Sequence, residues 1–175
     1  MILEEIYDVV DKNGNKIGKA TWTEVHTKGL LHQNVHGIVF KDERRIETLI
    51  KKRSANMPQG MGLFEIAVAG HILSGYTPDK AIEKETEEEL LGKVLPKTIK
   101  IKQMGSYFNH DLPNNYEIAY LYEIIYPGPF FASEESDGKA FWIGWKELLE
   151  DMKKNPKKYA QYSINAINEY SKRIQ

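Results

Sequence analysis

Cysteine is absent from the 175-residue chain. That excludes disulfides, thiolate zinc sites and a cysteine nucleophile, and it fits the reducing setting of a cytoplasmic protein. A surplus of charge is absent too: 24 Lys and Arg stand against 25 Asp and Glu, for a formal net charge of -1. A protein drawn to a nucleic-acid polymer by phosphate attraction needs a basic excess, so that class drops out. No apolar run approaches the ~18 residues that read as a membrane span. The opening MILEEIYDVV carries acids where a secretory signal has a basic segment, so no membrane partner is expected. Repeats, low-complexity tracts and Pro/Ser-rich linkers are also missing. What is present is an ordinary mixture, 41% hydrophobic and 28% charged, compatible with a packed core rather than disorder. Residues 1–175 are expected to form a single domain, close to the ~150-residue norm.

Three regions follow one another. Up to about Ser54 the pattern is strand-rich. Glu5–Val10 leads into Asn13-Gly14, a strong short hairpin signal. Val35–Phe40 and Ile46–Ile50 read as a second pair, turning at Lys41–Arg45. A loop from Ser54 to Gly62, with Pro58 and Gly60, precedes a strand over Phe64–Ala69, a glycine-containing loop and a helix. The last region has strands near Ile99–Phe108 and Tyr116–Tyr126, a long loop over Pro127–Gly138, and helices over Trp145–Lys154 and Pro156–Arg173. Strands before, between and after helices predict an α/β (α+β) fold, a mixed sheet covered by helices.

The helix after Gly75 is the informative stretch. Thr77 suits the cap, Pro78 the first helical position and Asp79 the positive end of the dipole, and Gly92 is a natural stop. Five glutamates lie between Glu83 and Glu89. At about 100° per residue, Glu85, Glu88 and Glu89 share an arc with Ala81 and Ile82, while Lys80, Glu83, Lys84 and Glu87 take the other side. Three carboxylates on a partly apolar face repel one another and raise each other's pKa unless a cation neutralises them. Carboxylate oxygens suit Mg²⁺ or Mn²⁺, and Mg²⁺ commonly shares its shell with substrate phosphates. Upstream, Ala67-Val68-Ala69-Gly70-His71 ends a strand in small residues, and Gly70 permits close approach of a ligand or metal.

Gly70 to Glu89 resembles the Nudix box, G-x5-E-x7-R-E-U-x-E-E-x-G-U with U a bulky aliphatic. Gly70 supplies the first glycine, Glu85 the acid of the Arg-Glu pair, and Glu88 and Glu89 the final acids. Tyr76 stands where the box has Glu, Lys84 where it has Arg, and Thr86 where it has an aliphatic residue. Leu91 occupies the place of the closing glycine, which comes one residue late at Gly92. Arg53-Ser54, Phe64–His71, Val25-His26 with Gly29–His32, and Trp142 with Trp145–Leu149 are similar to the branch related to isopentenyl-diphosphate isomerase. The resemblance implies a Nudix-type α/β/α sandwich and hydrolysis of a nucleoside diphosphate linked to another group, or of a similar small diphosphate. It implies Mg²⁺ or Mn²⁺ held by Glu85, Glu88, Glu89 and the Ala69 carbonyl. Glu88 or Glu117 would be the general base. Apart from the resemblance, the planar guanidinium of Arg53 could hold phosphate, whereas Arg44-Arg45 is expected to decorate a turn. Homodimers are common in the family.

Two other functions stay open. In the isomerases, histidines matching His26, His32 and His71 bind a metal with two later acids. Glu117 matches one acid, and Asn115 stands at the other. Polar structural roles are the expectation for these histidines, with a metal site as the alternative. The isomerases place a catalytic cysteine before the glycine, where this chain has Ala69, so isomerisation by that route is not expected. The third function is a degenerate domain that binds without turnover, motivated by Tyr76 and Lys84.

Overall fold

The computed structural model describes residues 4–54, 62–92, 94–130 and 139–174. Pro58 and Gly60 of the expected loop, and 131–138 of the later one, lie outside the described residues.

The chain opens with the hairpin β1 (Ile6–Val10) and β2 (Lys16–Thr21), paired antiparallel around the Asn13-Gly14 turn. Helix α1 (Trp22–Lys28) follows directly. Thr21 and Glu24 form a reciprocal capping box at its start and Gly29 closes it in the left-handed conformation, a complete set of local helix signals. This short helix was not expected from the sequence, because seven residues give too little periodicity to read.

Among the described residues the main sheet has seven strands: β3 (His32–Phe40), β4 (Glu47–Lys52), β5 (Phe64–Ile66), β6 (Val68–His71), β7 (Lys100–His110), β8 (Tyr116–Ile125) and β9 (Ala140–Gly144). Central β3 pairs in parallel with β8 along its whole length, and β8 pairs antiparallel with β7. On the other side of β3 the sheet divides. Residues 34–37 pair with β6, whereas Val39 and Phe40 pair with β4, which in turn holds β5 and β9. The expected strand over Phe64–Ala69 is therefore two, broken at Ala67. Strand β9 was also missed, being five residues without a clear alternation.

Alternation along the strands builds two cores. Val35, Val39, Leu49, Val68 and Ile124 pack with Ile82 and Leu91 of the acidic helix on one face. Ile38, Phe40, Ile50 and Leu121 pack on the other with Leu148 and Met152 of α3 (Trp145–Lys154) and Ala166, Ile167 and Tyr170 of α4 (Gln161–Arg173). The expected helix over Pro156–Arg173 starts as a 3-10 turn at Pro156–Lys158 and becomes α-helical at Gln161.

The acidic helix departs from the expected uniform α-helix. Pro78–Glu85 is α-helical (α2), with Thr77 capping through Lys80 N. Thr86–Leu91 is a π-helical turn that stops at Gly92, φ 61°. The extra residue before the closing glycine is accommodated here by widening the helix, the usual way a helix absorbs one surplus residue.

Candidate active site

The α2 helix packs on β6 so tightly that Glu85 lies against the backbone of Gly70. A Cβ built at Gly70 would stand 2.2 Å from the Glu85 carboxyl carbon. The group in close approach at this glycine is the Glu85 side chain, where the expectation was a ligand or metal. One turn on, Glu89 Oε2 accepts a hydrogen bond from Ala69 N at 3.2 Å and one from Lys51 Nζ at 2.9 Å. Burial raises the Glu85 carboxyl to about 7, with the Glu89 and Glu88 charges adding to it and Lys84 opposing. Burial also raises Glu89, against the pull of Lys51.

Glu88 differs from the expected arc. Its side chain is 57% exposed, against 14% for Glu85 and Glu89. The helical wheel assumed 3.6 residues per turn, and the π turn swings Glu88 outward. Lys84, expected on the opposite side, bridges them: its Nζ lies 2.5 Å from Glu88 Oε2 and 3.7 Å from Glu85 Oε1. Tyr76 packs against the core on the α2 side of the sheet, with Lys80 Nζ 4.1 Å over its ring.

Arg53 donates from Nη1 to Glu65 Oε2 at 3.0 Å. Glu65 is 1% exposed and also accepts from Tyr162 Oη of α4 at 2.6 Å, while its Oε1 lies 3.5 Å from Lys51 Nζ. Lys51, Glu65 and Tyr162 were missed in the sequence. No spacing rule links β4, β5 and α4, and only the fold brings them to Glu89.

A second cluster lies at the start of β3. His26 from α1, His32 from β3 and His71 from β6 each offer a ligand atom, all within 4.8 Å of one another. Nδ1 of His26 meets Trp22 O at 2.9 Å and Nδ1 of His32 meets Leu30 O at 2.9 Å. A carbonyl only accepts, so both rings carry the proton on Nδ1 and leave Nε2 as a lone pair, the arrangement that orients metal-ligating histidines. Burial lowers His26, and with the His71 charge lowers His32 to about 4. Both are therefore neutral at pH 7, the ligating form. Nε2 of His32 and of His71 is buried without a hydrogen bond, 3.6 and 3.4 Å from Glu117 Oε1. Burial alone would raise Glu117, but His71, His36 and the Asn109 amide together bring it to about 2. Asn115 is buried, donates to Asp111 Oδ1 at 2.8 Å, and keeps its own Oδ1 without a partner. The donor set of three imidazoles and one carboxylate suits a borderline divalent cation such as Zn²⁺. Polar structural roles were the expectation for these histidines, with a metal site as the alternative, and the structure brings three of them together. His36, by contrast, is a buried structural histidine, bonded to Tyr107 Oη at 2.6 Å and Asn34 Nδ2 at 3.0 Å.

A mixed sheet between helical layers, with acids of one helix seated on a Gly-His strand, defines an α+β domain of the Nudix-fold class. No family model matches the chain. The isopentenyl-diphosphate Delta-isomerase 2 of Photorhabdus laumondii is 30% identical over 173 residues, covering 95% of this chain and 92% of that protein. Nudix hydrolase 3 of Arabidopsis thaliana is 29% identical over 179 residues and covers 97% of this chain, which spans only 23% of that protein. The solved structure of DR0079 from Deinococcus radiodurans shares the fold, with a TM-score of 0.71 at 17% identity over 90% of this chain and 93% of that one. The chain belongs to the Nudix family, in the branch that holds both Nudix hydrolases and isopentenyl-diphosphate isomerases. No helix among the described residues is long and apolar enough to cross a membrane.

Proposed function

We propose that the chain is a metal-dependent hydrolase cleaving the diphosphate bond of a nucleoside diphosphate linked to another group, or of a similarly small diphosphate. One observation carries this reading: Glu85, pressed onto Gly70 and raised to about 7 by burial and by Glu89, is an acid whose charge is not fully offset. A hard divalent cation, Mg²⁺ or Mn²⁺, fits that deficit. Glu85, Glu89, Glu88 and the Ala69 carbonyl would hold it. When bound, such a cation stabilises charge developing on phosphate and acidifies a coordinated water. Arg53, fixed by Glu65, presents its guanidinium to the diphosphate. Glu88 is the general base in this reading, since it is the exposed acid of the set. Glu117, the other acid considered for that role, is buried beside His32 and His71 and acts better as a ligand there. The test is phosphate release from a panel of nucleoside diphosphates, sugar nucleotides, dinucleoside polyphosphates and prenyl diphosphates with Mg²⁺ or Mn²⁺. No turnover on any member, in either metal, rejects the proposal.

The histidine cluster favours a second reading, an isomerase-like enzyme. Against it stands Ala69, whose methyl can neither give nor take the proton that double-bond migration requires. Conversion of isopentenyl to dimethylallyl diphosphate by the purified protein would decide for it.

A further inference from the structure

We infer that Lys51 is a built-in counter-ion of the carboxylate site, occupying the charge position at Glu89 that a second divalent cation would otherwise fill, so that the acidic helix takes a single cation centred on Glu85. This rests on the reading of Glu85 and Glu89 as metal-holding acids.

Lys51 is 4% exposed. A lysine so deeply buried is rare unless its charge is answered. Its ammonium lies 2.9 Å from Glu89 Oε2 and 3.5 Å from Glu65 Oε1. Glu65 Oε1 is buried without a hydrogen bond, so Lys51 is its electrostatic partner. Glu65 Oε2 is taken by Arg53 and Tyr162. The same Glu89 oxygen that takes Lys51 also accepts from Ala69 N, which leaves Glu89 Oε1 as the oxygen that can turn to a cation.

The charges therefore divide. Lys51 and Arg53 answer Glu89 and Glu65, and Lys84 answers Glu88. Among the described residues the ion pair of Glu85 is the 3.7 Å one with a Lys84 already committed to Glu88. That is a deficit for one cation, at Glu85. A second divalent ion at Glu89 would have to sit beside the Lys51 ammonium in a poorly solvated space, where like charges repel strongly.

The test counts Mn²⁺ by electron paramagnetic resonance at saturating metal in wild type, Lys51→Met, Glu85→Gln and Lys51→Met/Glu89→Gln. Any ion on the histidine cluster is common to the series and cancels in the differences. Relative to wild type, Glu85→Gln should lose one Mn²⁺ per chain, Lys51→Met should gain one, and the double variant should return to the wild-type count. The double variant leaves Glu89 neutral, and Glu65 keeps Arg53 and Tyr162 on its Oε2, so it reports even if Lys51→Met folds poorly. With poor folding, Mn²⁺ should raise the single variant's thermal midpoint by more than that of the double variant, which keeps only the ion at Glu85. An unchanged count in Lys51→Met with a lost ion in Glu85→Gln overturns the role of Lys51 while leaving the metal site standing. No lost ion in Glu85→Gln rejects the carboxylate metal site itself, and with it this inference.

Discussion

Glu85 rests on Gly70 with its carboxyl carbon 2.2 Å from where a Cβ would stand. No alanine fits there unless the carboxylate moves. Gly70→Ala should therefore cost the fold about 1–3 kcal/mol, the range of overpacking a filled site. Its larger effect should be on turnover, by about 100-fold, because a shift near 1 Å in a reacting arrangement has that scale. Circular dichroism and metal-dependent phosphate release on the variant measure the two effects separately. Full activity in a folded Gly70→Ala would mean that the place of Glu85 is irrelevant to the chemistry.

The acids should divide by burial. Glu85→Gln and Glu89→Gln are expected to reduce metal-dependent turnover by about 100-fold or more, on the scale of losing a positioned charge in a site. Glu83 is exposed, and Glu83→Gln should change little. Glu87 Oε1 accepts from Leu95 N at 2.9 Å, so Glu87→Gln should cost a little stability and no chemistry. Steady-state assays of the four variants at saturating Mg²⁺ check this. Equal losses at Glu83 and Glu85 would reduce the run to a general charge effect.

The sequence made the box legible because its residues are local. Gly70, Glu85 and Glu89 lie on two adjacent elements, and their spacing is set by one loop and one helix. The strands at Val35–Phe40 and Ile46–Ile50 were legible as short apolar runs around a turn, whereas the two faces they serve follow only from the pairing of the sheet. Glu88 was misplaced because the wheel assumes a regular helix, and the surplus residue before Gly92 was absorbed as a π turn starting at Thr86. The grouping of His26, His32 and His71 depends on β6 pairing with β3 and on a helix too short to read. Lys51 meets Glu89 across 38 positions, a distance no periodicity can bridge.

Stability should depend on pH through Glu85. Its folded-state pKa, about 7, lies above the ordinary 4.3 or so of an unfolded glutamate. Between those values the folded state holds a proton that the unfolded chain has released. Metal-free protein should thus lose stability as pH rises from about 4.5 to about 7, by a few kcal/mol at most. Mg²⁺ offsets the ionised acid, so its stabilising effect should grow over the same window. Thermal midpoints at pH 5, 6 and 7 with and without Mg²⁺ test this, and Glu85→Gln should flatten the dependence. A metal effect that is largest at pH 5 would contradict it.

The histidine cluster makes a separate prediction with a spectroscopic readout. Co²⁺ should bind and show the visible bands of a nitrogen-rich site. His71→Gln should weaken that binding by about 100-fold or more, beyond the ~10–100-fold typical of losing an outer-shell partner. His110 stacks on Tyr116 at 4.4 Å, outside the cluster, so His110→Gln is the matched control and should leave the spectrum unchanged. Because burial holds His32 near 4, that ring is ready to ligate at pH 5.5, where an ordinary histidine is largely protonated. Co²⁺ binding should accordingly survive acidification better than the ordinary histidine value near 6.5 allows. Glu117→Gln tests the carboxylate, which should matter to affinity at pH 7 as a ligand. If His71→Gln and His110→Gln bind Co²⁺ alike, the three rings are a packed polar cluster and no metal belongs there.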